Sequence, residues 1–221
     1  SESLPMSHAS QSREEQVLID GPIGKIEVLI DNPGAPRGIA LIGHPHPIGG
    51  GAATNKVAHT LARTFASLGY AAFRPNFRTV GLTEGEHDEG IGETDDMLSV
   101  LEYARERCGH LPVVLAGFSF GAFVQTRVAK RMVAAGHPAQ RLVLVGTASG
   151  FVEGTRHYDT EAVPRDSIVI HGSADETVPL DNVLAWAEPQ DLPIIVVPAA
   201  DHFFHRRLHL LREIITHNWR H

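Results

Sequence analysis

The sequence of 221 residues contains a single cysteine, Cys108, so no disulfide can form within the chain. A chain without disulfides is typical of a reducing compartment. The N-terminal stretch is polar and lacks the apolar core of a secretion signal. These absences predict a cytoplasmic location. We expect a flexible tail over residues 1–15 and one domain over residues 16–221, since a chain of this length usually forms a single core.

Long apolar runs and an excess of positive charge are also absent. No apolar stretch approaches the roughly 20 residues that span a bilayer. The 26 acidic residues outnumber the 19 basic ones, which gives a formal net charge of −7. Binding to nucleic acid or to an anionic membrane requires a basic surface. We therefore expect no nucleic-acid partner and no membrane partner, and look for a small molecule instead.

Strand-like and helix-like segments alternate along the chain. Apolar stretches predict eight strands, namely QVLID, KIEVLID, GIALIGH, YAAFRP, LPVVLAG, RLVLVG, DSIVIHG and PIIVVP. Apolar residues at helical spacing predict helices over residues 56–68, 94–108, 120–135, 180–187 and 206–219. The alternation predicts an α/β fold, a three-layer α/β/α sandwich around a mostly parallel sheet of about eight strands. The short segment 147–165 leaves no room for a large lid domain.

The turn after the fifth predicted strand has the sequence G-F-S-F-G, with Ser119 at its centre. A strand, a sharp turn and a helix in succession are typical of a nucleophile elbow, which holds a serine hydroxyl above the sheet. The backbone N–H of Phe120 then lies at a helix N-terminus, where it favours a developing oxyanion. The alternative is a glycine-rich turn in which Ser119 only caps the helix.

Two more candidate catalytic residues follow later strands. Asp175 lies in the loop after DSIVIHG, and His202 lies in the loop after PIIVVP. The carboxyl ends of parallel strands share one edge of the sheet, where ligands bind. The chain order serine, aspartate, histidine is the order that accompanies such an elbow. We predict Ser119 as the nucleophile, Asp175 as the orienting acid and His202 as the general base, with Glu176 as the rival acid.

The loop after the third predicted strand, GHPHPIGGG, is the expected source of a second oxyanion donor. Pro45 and Pro47 have no backbone N–H, so the amide of His46 is the candidate. His44 would brace this loop through its ring. The alternative is a rigid turn of proline and glycine with no donor aimed at the site.

Three side chains are candidates for substrate binding, namely His44, Arg78 and Phe203. Arg78, in the loop FRPNFRTVGLTEG, would bind an anionic group of the substrate. Alternatively, Arg78 pairs with a nearby acid and only holds its loop. The acids in question are Glu84, Glu86 and Asp96.

Two histidine pairs suggest an alternative class of protein, a metal-dependent hydrolase. His44 and His46 form an H-x-H pair, and His205 and His209 are four residues apart on the last predicted helix. Because no carboxylate-rich ligand set surrounds either pair, we predict no metal. A second alternative is a non-catalytic binding protein on an enzyme-like scaffold, since fold alone does not establish catalysis.

Five stretches of the chain together resemble the α/β-hydrolase superfamily, specifically its small, lidless, dienelactone-hydrolase-like bacterial branch. They lie within residues 39–219 and are LIGHPHPIGGG, NKVAHTLARTFASLGYAAFRPNFRTVGLTEGEHDEGIGETDDM, LAGFSFGA, HGSADETVP and ADHFFHRRL. The resemblance implies an α/β-hydrolase fold with an eight-stranded, mainly parallel sheet. It also implies Ser119, Asp175 and His202 as nucleophile, acid and base. Dienelactone hydrolases themselves have a cysteine nucleophile where this chain has Ser119.

These features together predict a serine hydrolase of the carboxylic-ester type. It would cleave small soluble esters or related acyl compounds through an acyl-enzyme on Ser119, a route that needs no cofactor.

Overall fold

The structure, a computed structural model, describes residues 14–154 and 156–220. The strands are β1 (Glu14–Asp20), β2 (Lys25–Asp31), β3 (Gly38–Gly43), β4 (Tyr70–Pro75), β5 (Val113–Phe118), β6 (Arg141–Val145), β7 (Gly150–Val152), β8 (Arg156–Tyr158), β9 (Ile168–Gly172) and β10 (Ile195–Val197). The α-helices are α1 (Lys56–Ser67), α2 (Ile91–Cys108), α3 (Phe120–Ala134), α4 (Leu180–Ala187) and α5 (Leu208–Asn218).

Eight of these strands form one sheet in the order β1-β2-β4-β3-β5-β6-β9-β10. β2 pairs antiparallel with both β1 and β4, and the other neighbouring strands pair in parallel. Every residue of β3, β4 and β5 is buried. Central parallel strands are covered on both faces, which explains their continuous apolar sequences.

Helices pack on both faces of the sheet and form two cores. One core contains Val100 of α2 and Val128 of α3, and the other contains Phe65 of α1 and Leu211 of α5. Successive residues of a strand point to opposite faces, so each central strand contributes to both cores. The arrangement confirms the predicted three-layer α/β/α sandwich with a mostly parallel, eight-stranded sheet.

The predicted boundaries of the N-terminal tail and of α2 are among those that differ from the structure. β1 begins at Glu14, so Glu14 and Glu15 belong to the sheet and not to the predicted tail. The rest of that tail lies outside the described residues. α2 begins at Ile91, three residues before its predicted start, because Glu93 accepts hydrogen bonds from the backbone N–H groups of Asp88 and Gly90 and caps the helix.

The segment between β6 and β9 contains a short antiparallel hairpin, β7–β8, instead of a large lid. These two strands were not predicted from the sequence. Each has only three residues, which is too short to give a period-2 pattern. None of the helices in the described ranges is long and apolar enough to cross a membrane.

The connection from β5 to α3 passes very close to its neighbours. A Cβ atom added at Gly121 would lie 2.2 Å from the carbonyl carbon of Gly43 on β3. A Cβ atom added at Gly117 would lie 2.7 Å from the backbone nitrogen of Ala122. The two glycines that flank Ser119 are therefore required by the packing of strand against helix.

We predict that Gly121→Ala destabilises the protein by about 3 kcal/mol, because the added methyl group must displace the backbone of β3 or α3. Gly49→Ala is the control, since no atom lies within 4 Å of its added Cβ. Urea unfolding followed by circular dichroism measures both. Equal stability of the two variants would contradict this packing.

Candidate active site

Ser119 occupies a strained turn between β5 and α3. Its backbone angles are φ 58° and ψ −118°, a combination that residues other than glycine rarely adopt. Hydrogen bonds hold the turn: the Ser119 N–H donates to the Val145 carbonyl at 2.9 Å, and the Ser119 carbonyl accepts from the Phe123 N–H at 3.2 Å. The sheet and the helix thus impose the conformation predicted for a nucleophile elbow.

The structure brings the three predicted catalytic side chains together. His202 Nε2 lies 3.1 Å from Ser119 Oγ, and His202 Nδ1 lies 2.6 Å from Asp175 Oδ2. Ser119, Asp175 and His202 are 8%, 6% and 5% exposed. Because the Asp175 carboxylate only accepts, it favours a proton on Nδ1 and leaves Nε2 free to accept the serine proton.

The Asp175 carboxylate is itself fixed by its own loop. Its Oδ1 accepts hydrogen bonds from the backbone N–H groups of Thr177 at 2.9 Å and Val178 at 2.8 Å. This leaves Oδ2 directed at His202. The rival acid, Glu176, has an exposed side chain, and the carboxylate bonded to His202 belongs to Asp175.

Aromatic rings determine the plane of the His202 imidazole. The ring centroid of Phe118 lies 4.8 Å from that of His202, and the centroid of Phe203 lies 5.1 Å from it. Phe118 is the last residue of β5, and Phe203 directly follows His202 in the chain. The imidazole therefore has little freedom to turn away from Ser119.

The two candidate oxyanion donors, His46 and Phe120, line the same cavity as Ser119. Among the described residues, no partner accepts a hydrogen bond from the backbone N–H of either one. A free N–H at a helix N-terminus, as at Phe120, attracts negative charge. Both residues lie at the cavity beside Ser119, and the role of their amides as oxyanion donors stays a prediction.

His44 does not line the cavity, so its predicted contact with substrate is wrong. The side chain is fully buried, and both of its ring nitrogens are occupied. Nδ1–H donates to the Pro45 carbonyl at 2.6 Å, and Nε2 accepts from the Phe77 N–H at 2.9 Å. Burial lowers the pKa of His44 to about 4. His44 thus braces the loop that carries His46.

Arg78 is also absent from the cavity, and its predicted role in substrate binding is wrong. Its Nε and Nη2 donate to the two carboxylate oxygens of Asp96 on α2, at 3.0 and 3.1 Å. The residue is 7% exposed, because the paired guanidinium packs against the start of α2. The alternative interpretation, in which Arg78 pairs with Asp96 and holds its loop, agrees with the structure.

The cavity above Ser119 has a volume of about 270 Å³. Phe203 lines it, as predicted, and is 42% exposed. Val152 and Tyr158 of the β7–β8 hairpin also line it and were missed by the sequence analysis. No signal in the sequence marks them, because their position depends on the tertiary packing of the hairpin between β6 and β9.

The histidine pairs do not form a metal centre. Both ring nitrogens of His44 are bonded to the protein, and His205 is paired with Asp201. In the described part of the chain, no group of three or more histidine, cysteine, aspartate or glutamate residues is placed to hold a metal ion.

This fold and this arrangement of side chains define a lidless protein of the α/β serine hydrolase class. The family described as "Thioesterase domain" matches residues 46–190, which is most of the chain, and the protein belongs to this family. The matched range contains Ser119 and Asp175 and ends before His202.

Comparisons with similar structures and with a similar sequence support this assignment. An α/β serine hydrolase without a lid from Xanthomonas campestris is 33% identical, with a TM-score of 0.83 over 94% of each chain. An α/β serine hydrolase homologue from Coxiella burnetii is 36% identical, with a TM-score of 0.78 over 99% of this chain and 100% of that one. An uncharacterized protein of Rickettsia prowazekii is 29% identical over 86% of this chain and 82% of its own. The predicted membership in the lidless branch of the superfamily is confirmed.

The buried ring of His44 should make stability depend on pH. Because its pKa is lowered, the unfolded chain binds one more proton than the folded protein between pH 6.5 and about 4. Stability is therefore highest above pH 6.5 and falls by about 3 kcal/mol toward pH 4 through this group. We predict that His44→Gln lowers stability at pH 7 but weakens this pH dependence.

Urea unfolding at pH 7, 5.5 and 4.5 measures this effect. His209→Gln is the matched control, because His209 is exposed on α5 and should leave the wild-type pH dependence unchanged. A His44→Gln variant that loses as much stability as the wild type between pH 7 and 4.5 would show that His44 is not the group responsible.

Proposed function

We propose that this protein is a serine hydrolase that cleaves small carboxylic esters or thioesters through an acyl-enzyme on Ser119. One chain of contacts carries the proposal. Ser119 Oγ lies 3.1 Å from His202 Nε2, His202 Nδ1 lies 2.6 Å from Asp175 Oδ2, and the serine faces a cavity. A nucleophile, its base and the group that orients the base are thus within hydrogen-bond reach.

In the first half of the reaction, Ser119 Oγ attacks the acyl carbonyl carbon while His202 Nε2 takes the serine proton. Asp175 stabilises the imidazolium that forms. The carbonyl oxygen becomes an oxyanion, which accepts hydrogen bonds from the amides of His46 and Phe120. His202 then gives its proton to the leaving alcohol or thiol, and the acyl group stays on Ser119 as an ester.

In the second half, water replaces the leaving group. His202 takes a proton from this water as it attacks the acyl carbon, and the same two amides hold the second oxyanion. Collapse of this intermediate returns the proton to Ser119 and releases the carboxylic acid. Both halves use only side chains and amides that surround the cavity.

The substrate range rests on two observations. The cavity is small, at about 270 Å³, compared with the range of about 300–1,000 Å³ for drug-sized ligands. The family match adds thioesters to the oxygen esters that the elbow predicts. Attack on either carbonyl follows the same steps. The aligned side chains and the accessible cavity favour an enzyme over a non-catalytic binding protein.

Replacing Ser119 tests the proposal directly. We expect the wild type to hydrolyse p-nitrophenyl butyrate and an S-butyryl thioester, and we expect Ser119→Ala to lower kcat by about 10⁴-fold or more, because the nucleophile is gone. Ser99→Ala, on α2, is the matched control and should stay within about twofold of the wild type. A Ser119→Ala variant with wild-type turnover would exclude the acyl-enzyme.

We further predict that Asp175→Asn lowers kcat by about 10⁴-fold while the protein stays folded. The amide oxygen can still accept from Thr177 and Val178, but the amide N–H₂ would face His202 and favour the wrong tautomer. Glu176→Gln is the control and should leave turnover unchanged. Steady-state assays measure kcat, and circular dichroism shows whether each variant is folded. Loss of activity in Glu176→Gln instead would move the acid role to Glu176.

A further inference from the structure

The cavity above Ser119 lacks charged side chains. Among the described residues that line it, none is a lysine, arginine, aspartate or glutamate. Its ionisable members besides the catalytic histidine are His46 and Tyr158. Burial, and secondly the neighbouring His87, lower the pKa of His46, so its ring is neutral at neutral pH. The described lining therefore offers no lysine or arginine that could pair with a carboxylate.

Arg156, the first residue of β8, is paired with an acidic residue. Its Nη1 pairs with the carboxylate of Glu89, and its Nη2 donates to the Glu89 carbonyl at 2.7 Å. Its guanidinium also lies over the ring of Tyr158, 4.6 Å from the centroid. Arg78, which the sequence offered as an anion-binding residue, is held by Asp96 outside the cavity. Neither arginine lines the cavity, and each already has an acidic partner.

Acidic residues stand next to the lining residues. Glu153 lies between Val152 and Gly154 of the hairpin turn, and Glu176 directly precedes Thr177. Both glutamates are exposed. Three of their neighbours in the chain line the cavity, namely Val152, Gly154 and Thr177. Each glutamate adds a negative charge to a segment that lines the cavity, which disfavours an anionic acyl group because like charges repel.

We infer that the acyl group this enzyme accepts is uncharged, so that its substrates are esters or thioesters of small neutral acids and not of dicarboxylic acids. The inference rests on the proposed function. A carboxylate in the cavity would lose hydration and find no lysine or arginine among the described lining residues, which disfavours its binding. The neutral acyl chain instead contacts the apolar walls formed by Ile48, Val152 and Phe203.

A matched pair of substrates tests the inference. Mono-p-nitrophenyl glutarate carries a free carboxylate, and its methyl ester has the same chain without the charge. We expect kcat/KM for the charged ester to be lower by about 100-fold or more, because its carboxylate must be desolvated without a partner. Release of p-nitrophenol is measured for both, and the rate with Ser119→Ala is subtracted as background.

The outcomes separate this inference from the proposed function. Hydrolysis of the neutral ester together with an equal kcat/KM for the charged one would overturn the inference and leave the serine hydrolase intact. Hydrolysis of neither ester, by a folded wild-type protein, would overturn the proposed function and the inference with it.

A substitution at the cavity mouth provides a second test. The Ile48 side chain lines the cavity and is 81% exposed, so a longer polar side chain fits there without disturbing the core. Ile48→Lys should lower the ratio of kcat/KM for the neutral ester to kcat/KM for the charged ester by about tenfold, since the ammonium group attracts the carboxylate. Ile48→Met, the uncharged control, should keep the wild-type preference. An unchanged ratio in Ile48→Lys would contradict the inference.

Discussion

The close passage of α3 over the ends of β3 and β5 is the constraint on which the site depends. Gly121 packs against the backbone of Gly43, and Gly117 packs against Ala122, at distances that leave no room for a side chain. The chain between them must turn sharply, which places Ser119 at φ 58°. Such a conformation costs on the order of 1–3 kcal/mol, and the surrounding sheet and helix stabilise it. The same turn places Phe120, the first residue of α3, at the wall of the cavity.

Buried hydrogen bonds fix the positions of the segments around this turn. His44 connects the loop after β3 to Phe77, and Arg78 connects the loop after β4 to Asp96. Asn76 and Arg74 bind the backbone of Ala53, at 2.8 Å each. Buried polar groups need partners, and here the partners belong to different segments of the chain. Polar residues near the site thus fix its shape, while the cavity itself stays largely uncharged.

Much of the fold could be predicted from the sequence because it depends on local patterns. The eight strands of the sheet follow from apolar stretches, and the elbow follows from G-F-S-F-G after a buried strand. The roles of Ser119, Asp175 and His202 were predicted from their order after successive strands, and the structure places them within hydrogen-bond distance of one another. Their catalytic roles are the part that remains a prediction.

Other features of the site depend on tertiary packing and have no local signal. His44 and Arg78 are polar residues beside the predicted site, and sequence alone does not reveal that both are buried and fully engaged. The β7–β8 hairpin is too short for its strands to show periodicity, although it supplies a wall of the cavity. The cavity lacks charged lining residues because Arg78 lies outside it and the hairpin contributes Val152, Gly154 and Tyr158. This property depends on tertiary packing and was visible only in the structure.

The central claim is that Ser119 is an activated nucleophile. The most direct measurement is labelling of the folded protein with a fluorophosphonate probe, followed by peptide mapping of the adduct by mass spectrometry. A serine activated by His202 and Asp175 should carry one covalent adduct, located on Ser119. Absence of an adduct, or an adduct on another residue, would contradict the account.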